Sequence, residues 1–146
     1  IDNLLKAKSL FVLARGYGLG VAMEAALKCK ETCGLHAEAL SSAEVKHGPM
    51  AIVGEGFPVL CFAQPDNSQQ GVNEIAKDFF SRGAKVMLVS EGEHQAWRLP
   101  VIANAHPACA PLLQIQSFYR MVNELALRRG YNPDLPPHLN KITETL

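Results

Sequence analysis

Compact apolar runs alternate with stretches of helical periodicity along this chain. Runs of Val, Leu, Ile, Phe and Ala are typical of strands buried on both faces, and apolar residues three and four positions apart indicate helices. The pattern predicts strands at residues 10–14, 35–40, 58–63, 84–90 and 99–103. It predicts helices at residues 19–32, 67–82 and 111–129. Since a proline interrupts the last strand, we expect that strand near a sheet edge.

Strands that alternate with helices predict an α/β fold, in which a parallel sheet carries helices on both faces. In such sheets a ligand binds beyond the carboxyl ends of the strands, where the strand order reverses. The segment RGYGLG, residues 15–20, follows the first strand, and another candidate segment follows the strand at 35–40. We therefore take Arg15 and Gly16 as candidate substrate-binding residues. Three glycines in six residues are nevertheless a weak signal for a phosphate site.

The motif KHGP at residues 46–49 ends a further predicted helix, which Ser41 or Ser42 would cap. Glycine and proline are ordinary helix-ending residues, and a cation in the last turn suits the helix dipole. None of these rules requires a histidine. His47 is therefore a candidate functional group.

A narrow charged stripe on the helix at 19–32 is a second candidate. Glu24, Lys28 and Glu31 lie within about 60° of one another at 100° per residue, and most other positions of this helix are apolar. One interpretation is that the stripe is a solvent-exposed line of charged residues with an ordinary Glu–Lys pair. It also fits the wall of a cleft, with Glu24 contacting substrate and Lys28 keeping Glu31 ionised as a general base.

Composition narrows the function classes. Fourteen basic residues balance fourteen acidic residues, which argues against nucleic acid or an anionic membrane as the main partner. No apolar run approaches the roughly 20 residues that span a bilayer, and neither end resembles a signal peptide. The four cysteines form no CxxC pair, and no histidine lies at zinc-finger spacing, so we expect no metal. Reduced thiols in a cytoplasmic protein fit this pattern.

Two segments together identify a family. EAALKCKETCGLHAEALSSAEVKHGPMA, residues 24–51, and NPDLPPHLNKITETL, residues 132–146, resemble the second sugar-isomerase (SIS) domain of glucosamine-6-phosphate synthases (glutamine–fructose-6-phosphate aminotransferases). They are equally similar to the SIS-type glucosamine-6-phosphate deaminases. The resemblance covers essentially the whole chain. It implies a five-stranded parallel sheet in flavodoxin-like order, with residues 35–40 as the second strand.

The resemblance also implies the role of each candidate residue. Glu31 looks like the base that moves a proton between C1 and C2 of the sugar, with Lys28 as its neighbour. Lys141 resembles the tail lysine that forms a Schiff base with the open-chain ketose. His47 looks like the group that assists ring opening, reaching into the neighbouring subunit of a homodimer. This chemistry requires no metal or cofactor.

We expect residues 1–146 to form one SIS domain, the C-terminal part of a longer protein with two SIS domains, and residues 131–146 to be the tail that carries the lysine. The family's sugar-phosphate cradle belongs to the first SIS domain, so we expect this chain alone to be inactive. A non-catalytic sugar-phosphate sensor and a silent structural domain are the alternatives. Glu31 and Lys141 favour the enzyme, and the ending TETL favours a deaminase or another phosphosugar isomerase over the synthase.

Overall fold

The computed structural model describes residues 1–91 and 97–139, which form a five-stranded sheet with three α-helices packed on it. The strands are β1 (Ser9–Ala14), β2 (His36–Ser41), β3 (Pro58–Phe62), β4 (Lys85–Val89) and β5 (Trp97–Leu99). The helices are α1 (Gly18–Cys33), α2 (Gln69–Ser81) and α3 (Ala110–Arg128). The strand order is β2-β1-β3-β4-β5, and every neighbouring pair is parallel. The parallel sheet is the one that the alternating pattern predicts, and its order is the flavodoxin-like order that the family resemblance implies.

Helices cover both faces of the sheet. Since successive side chains of a strand point to opposite faces, each central strand contributes to two cores. Leu10 and Val12 of β1 enter the core that α1 and α3 cover. Phe11 and Leu13 enter a second core, which α2 covers from the other side. Each face of β1 is therefore sealed by apolar packing, which explains the uninterrupted apolar run in its sequence.

Gly34 ends α1 in the left-handed conformation, with φ of 56°. A side chain at this position would be strained by the positive φ, and its Cβ would collide with the Tyr131 hydroxyl. The chain turns here at once into β2, whose residues His36–Ser41 pair with Ser9–Ala14 of β1. The turn thus fixes the last part of α1 beside the edge strand of the sheet.

Arg129, directly after α3, ties three parts of the chain together. Its Nε donates to the Cys33 carbonyl at 2.9 Å. Its Nη1 donates to the carbonyls of Leu4, Leu5 and Ala7 at 2.8, 3.0 and 3.1 Å. One guanidinium therefore joins the ends of α1 and α3 to the segment that enters β1.

The predicted fifth strand is displaced in the structure. It covers Trp97–Leu99 instead of residues 99–103, and it pairs with Met87–Val89 of β4. The pairing ends at Pro100, because proline has no N–H to continue a ladder. The expected position at the sheet edge is confirmed.

The helix predicted around KHGP is also different. Two short 3₁₀ helices, Glu44–His47 and Pro49–Ile52, replace a capped α-helix. The Ser41 hydroxyl accepts the N–H of Ala43 within the turn, and neither serine caps the first of these helices. Gly48 has φ of 144°, so the chain changes direction between the two turns instead of continuing one helix.

Candidate active site

The charged stripe of α1 is a connected ionic chain. Lys28 Nζ donates to Glu31 Oε2 at 2.7 Å and lies 3.7 Å from Glu24 Oε1. Between 26% and 33% of each of these side chains is exposed, so the three are neither buried nor fully solvated. The structure thus brings together the three residues that the helical spacing placed on one line.

Lys28 is held in its charged form. The hydrogen bond to Glu31 raises the pKa of Lys28, the nearby Glu24 and Glu31 charges add to this effect, and partial burial opposes it. An ammonium cannot act as a nucleophile, so Lys28 serves here as a fixed positive charge. Within the described residues the Glu31 side chain is held by Lys28 through Oε2. A carboxylate in this arrangement can accept a proton while its charge is balanced by the lysine.

Tyr119 of α3 also belongs to this cluster, and the sequence analysis missed it. Its hydroxyl donates to Glu24 Oε1 at 2.9 Å. Burial raises the pKa of Tyr119, and the hydrogen bond to Glu24 and its negative charge raise it further. The phenol therefore remains a donor at neutral pH. The two residues are 95 positions apart, and a tyrosine on an amphipathic helix carries no sequence signal of this contact.

Exposed apolar side chains border the stripe. Met23 and Leu27 lie on the outer side of α1, with exposed fractions of 61% and 41%. On α3, Tyr119 is 40% exposed beside Glu24. We call Met23, Leu27 and Tyr119 the apolar border. An apolar surface beside a half-exposed ionic chain is typical of an interaction surface.

A separate crevice lies at the carboxyl ends of β1 and β3, where the strand order reverses. Arg15 lines a pocket there, together with residues of the segment between β3 and α2 and the first turns of α2. Gly16 approaches the same segment, since a Cβ on it would lie 3.7 Å from Asp66 Oδ2 and 3.8 Å from Ser68 Oγ. Arg15 and Gly16 thus occupy the predicted edge. The segment after β3 is a part of this crevice that the sequence analysis missed.

The crevice contains a carboxylate as well as an arginine. Asp66 Oδ1 accepts the backbone N–H and the hydroxyl of Ser68 at 2.7 and 2.6 Å. The negative charge of Asp66 disfavours an anionic ligand here. The N-terminus of α2, which begins at Gln69 directly after Ser68, has the opposite effect, because the helix dipole attracts anions. The crevice therefore differs from a phosphate cradle built of hydroxyl and amide donors alone.

The crevice and the stripe are distant from each other. Glu31 lies 13 residues after Gly18, the first residue of α1, which corresponds to about 20 Å along the helix axis. Arg15 and Gly16 precede that first turn. The structure therefore does not unite these two residues with Glu31 in one site of this chain.

His47 is the last residue of the 3₁₀ helix Glu44–His47, which follows the carboxyl end of β2. Its side chain is exposed, and Gly48 and Pro49 follow at once. It is accessible to another molecule or another domain. Lys141, the remaining predicted residue, lies outside the described residues, as does the end of the tail.

Two buried glutamines support the carboxyl ends of β3 and β4. The Gln114 side chain of α3 donates to the carbonyls of Ala63 and Val89, at 2.9 and 3.3 Å. Its Oε1 accepts the side-chain N–H of Gln64. These hydrogen bonds join α3 to two strands, and Gln64 Oε1 is a buried oxygen without a partner among the described residues.

Further groups can be assessed over residues 1–91 and 97–139. No set of three or more His, Cys, Asp or Glu side chains in this part of the chain is arranged to hold a metal ion. Among the same residues, no helix is long and apolar enough to cross a membrane.

Cys29, Cys33 and Cys61 are buried free thiols, and burial raises the pKa of Cys29 and of Cys61 to about 12. These thiols are therefore protonated packing residues.

The fold and the stripe define a class: a doubly wound α/β domain whose first helix presents a carboxylate–ammonium pair. The chain belongs to the SIS domain family, whose model matches residues 3–98. A glutamine–fructose-6-phosphate aminotransferase (isomerizing) of Pyrobaculum aerophilum is 38% identical over 144 residues, which cover 95% of this chain and 24% of that protein. The chain thus spans about a quarter of the length of the curated relatives it matches.

Solved structures agree with this assignment. The crystal structure of a candidate phosphosugar isomerase from Silicibacter pomeroyi is 47% identical, with a TM-score of 0.82 over 91% of this chain and 41% of that chain. A glucosamine-6-phosphate deaminase from Thermotoga maritima is 29% identical, with a TM-score of 0.73 over 96% of this chain and 41% of that chain. The relatives of this SIS domain are therefore phosphosugar isomerases, deaminases and aminotransferases.

Proposed function

We propose that this chain is the catalytic half of a phosphosugar isomerase site that interconverts fructose 6-phosphate and glucosamine 6-phosphate. The observation that carries the proposal is the 2.7 Å contact between the Lys28 ammonium and the Glu31 carboxylate, on a helix that is mostly apolar outside its charged stripe. A sugar-phosphate sensor does not need a base held in this way. The alternative of a non-catalytic binding domain is therefore the weaker one.

The residues divide the reaction between them. The Lys141 amine attacks the ketose carbonyl and water leaves, which forms a Schiff base at C2. Ammonia then displaces the Lys141 amine from C2, which frees the lysine and leaves a sugar imine that carries the incoming nitrogen, and deamination runs these steps in reverse. Glu31 takes the proton from C1 to give an enolamine and returns it to C2, so the base is regenerated and no electrons leave the sugar. Lys28 balances the charge of Glu31 while the proton is away from it. His47 transfers the protons of ring opening, since an imidazole has one nitrogen that can donate a proton and one that can accept it.

An upstream SIS domain completes the site in this proposal. The chain covers 24% of one relative and about two-fifths of the solved chains, which leaves room for another domain of similar size. The apolar border beside the stripe is a surface that such a domain can cover. It would supply the phosphate cradle that the crevice, with Asp66, does not form. We therefore expect little turnover from this chain alone, since binding of the remote phosphate drives reaction at the sugar.

The position of His47 supports a homodimer in which this residue acts in the active site of the neighbouring subunit. His47 is exposed and follows the carboxyl end of β2, whereas Glu31 precedes the other end of that strand. Gly48 and Pro49 form the turn that presents His47. Synthase-type aminotransfer and deamination share these steps, and relatives of both kinds match the chain. The ending TETL favours a deaminase or another phosphosugar isomerase over the synthase. Buried free thiols fit a cytoplasmic enzyme.

The decisive experiment is Glu31→Gln in the full-length parent protein. This substitution keeps the size of the side chain and removes the base, so deuterium wash-in from solvent at C1 or C2 should fall about a hundredfold to ten-thousandfold. Substrate binding should be nearly unchanged. Glu124→Gln, an exposed glutamate of α3, is the matched control and should exchange normally. Normal exchange in Glu31→Gln would remove Glu31 from the mechanism.

A further inference from the structure

Tyr119 connects the stripe to a second helix. It extends from α3, and its hydroxyl donates to Glu24 Oε1 at 2.9 Å. Its ring lies beside the fully buried Phe118, with ring centroids 6.3 Å apart. The backbone of this turn is therefore anchored in the core, while the hydroxyl reaches the half-exposed ionic chain. No step described above uses this residue.

The oxygen that Tyr119 contacts is the one that Lys28 approaches. Lys28 Nζ lies 3.7 Å from Glu24 Oε1, beyond hydrogen-bond distance, but 2.7 Å from Glu31 Oε2. The phenol donates to Glu24 Oε1 and offsets part of its negative charge. Glu24 then competes less well for the Lys28 ammonium, which therefore pairs with Glu31.

We propose that Tyr119 is a positioning residue: by holding Glu24, it directs the Lys28 ammonium onto Glu31 and keeps the base oriented for proton transfer. This inference rests on the proposed function, because Glu31 must be the base for its orientation to matter. The groups that face one another here are Glu24, Lys28 and Glu31 from α1 and Tyr119 from α3. Tyr119 acts through Glu24 and does not contact the substrate.

A positioning role can be separated from a structural one because the contact is exposed. The tyrosine is 40% exposed, and exposed contacts of this kind contribute little to folding. Loss of the hydroxyl should therefore leave the melting temperature nearly unchanged. A neutral phenol is also the required donor, and the raised pKa of Tyr119 keeps it in that form.

The test uses Tyr119→Phe in the full-length parent protein, a change that removes one hydroxyl. We expect kcat to fall about threefold to tenfold and KM to change less than twofold, because the loss acts on the chemical step. Asp2→Asn is the matched control. It weakens another exposed polar contact of α3, the 2.7 Å pair between Arg128 and Asp2, and should leave kcat unchanged.

A double-mutant cycle then tests the route through Glu24. Tyr119→Phe should cause no further loss in a Glu24→Ala background, since its partner is already absent. An unchanged kcat in the single variant, or losses that multiply in the double variant, would overturn the inference. Glu31→Gln is measured in parallel. Exchange that persists there refutes the proposed function and this inference together, whereas an inactive Glu31→Gln beside a fully active Tyr119→Phe refutes only the role of Tyr119.

Discussion

Arg129 should be the most important single polar residue for the stability of the helical layer that carries the stripe. Its guanidinium makes four hydrogen bonds to backbone carbonyls from two distant parts of the chain. Arg129→Met keeps much of the aliphatic stem and removes the two nitrogens that donate all four hydrogen bonds. The carbonyl of Cys33, at the end of α1, and those of the segment before β1 would then depend on water alone.

The expected loss follows from these contacts. A hydrogen bond from a charged donor contributes about 1.5–3 kcal/mol in a buried setting. Arg129 is only half-buried, and three of its bonds come from a single nitrogen, so we take less than 1 kcal/mol for each. The sum is about 3 kcal/mol. In a domain of this size each 1 kcal/mol lowers the melting temperature by about 2–4 °C, so we expect a decrease of about 6–12 °C.

The assay is thermal and urea unfolding of the 146-residue chain, followed by circular dichroism. The neighbouring Arg128 provides a matched control, since it makes one exposed contact, to Asp2, and Arg128→Met should cost less than about 1 kcal/mol. Arg129→Lys should recover only a small part of the loss, because an ammonium cannot span the same acceptors. If Arg129→Met and Arg128→Met are equally stable, the four contacts do not act as described.

Two further predictions concern the dimer and the thiols. His47→Ala and Lys141→Ala should each be nearly inactive in the parent protein, yet mixing them with subunit exchange should recover about a quarter of wild-type activity, because half the dimers then carry one intact site. Confirmed exchange without recovery would place His47 in the site of its own subunit. Because burial raises the pKa of the Cys29 and Cys61 thiols from 9.0 to about 12, the folded protein retains protons that the unfolded chain loses. Stability should thus be complete below pH 9 and fall at higher pH, by up to about 1.4 kcal/mol per pH unit for each thiol. Cys61→Ala should make the decrease of unfolding free energy with pH shallower. An unchanged decrease would show that the Cys61 thiol does not have the raised pKa given above.

The periodicity of the chain predicts most of the sheet. A strand such as β1 packs against a hydrophobic core on each face, so its residues are apolar almost throughout. This apolar run is visible in the sequence without any knowledge of the neighbouring elements. The short elements were harder to predict. β5 depends on pairing with β4, and the turns around Gly48 depend on backbone angles that a helical pattern does not encode.

The candidate site divides in the same way. Glu24, Lys28 and Glu31 are neighbours because a helix brings positions three and four apart together, a local rule that sequence spacing reveals. The contact of Tyr119 with Glu24 joins two helices that are distant in sequence, and only their packing on a common sheet creates it.

By itself the sequence determined the fold class, the strand-and-helix order and the line of charge on α1, because each follows from local periodicity. The tertiary structure alone decided that Arg15 and the segment after β3 line one crevice. It also decided that a phenol holds Glu24. These relations depend on how separate elements pack, and packing distances are set by long-range contacts that a one-dimensional pattern does not contain.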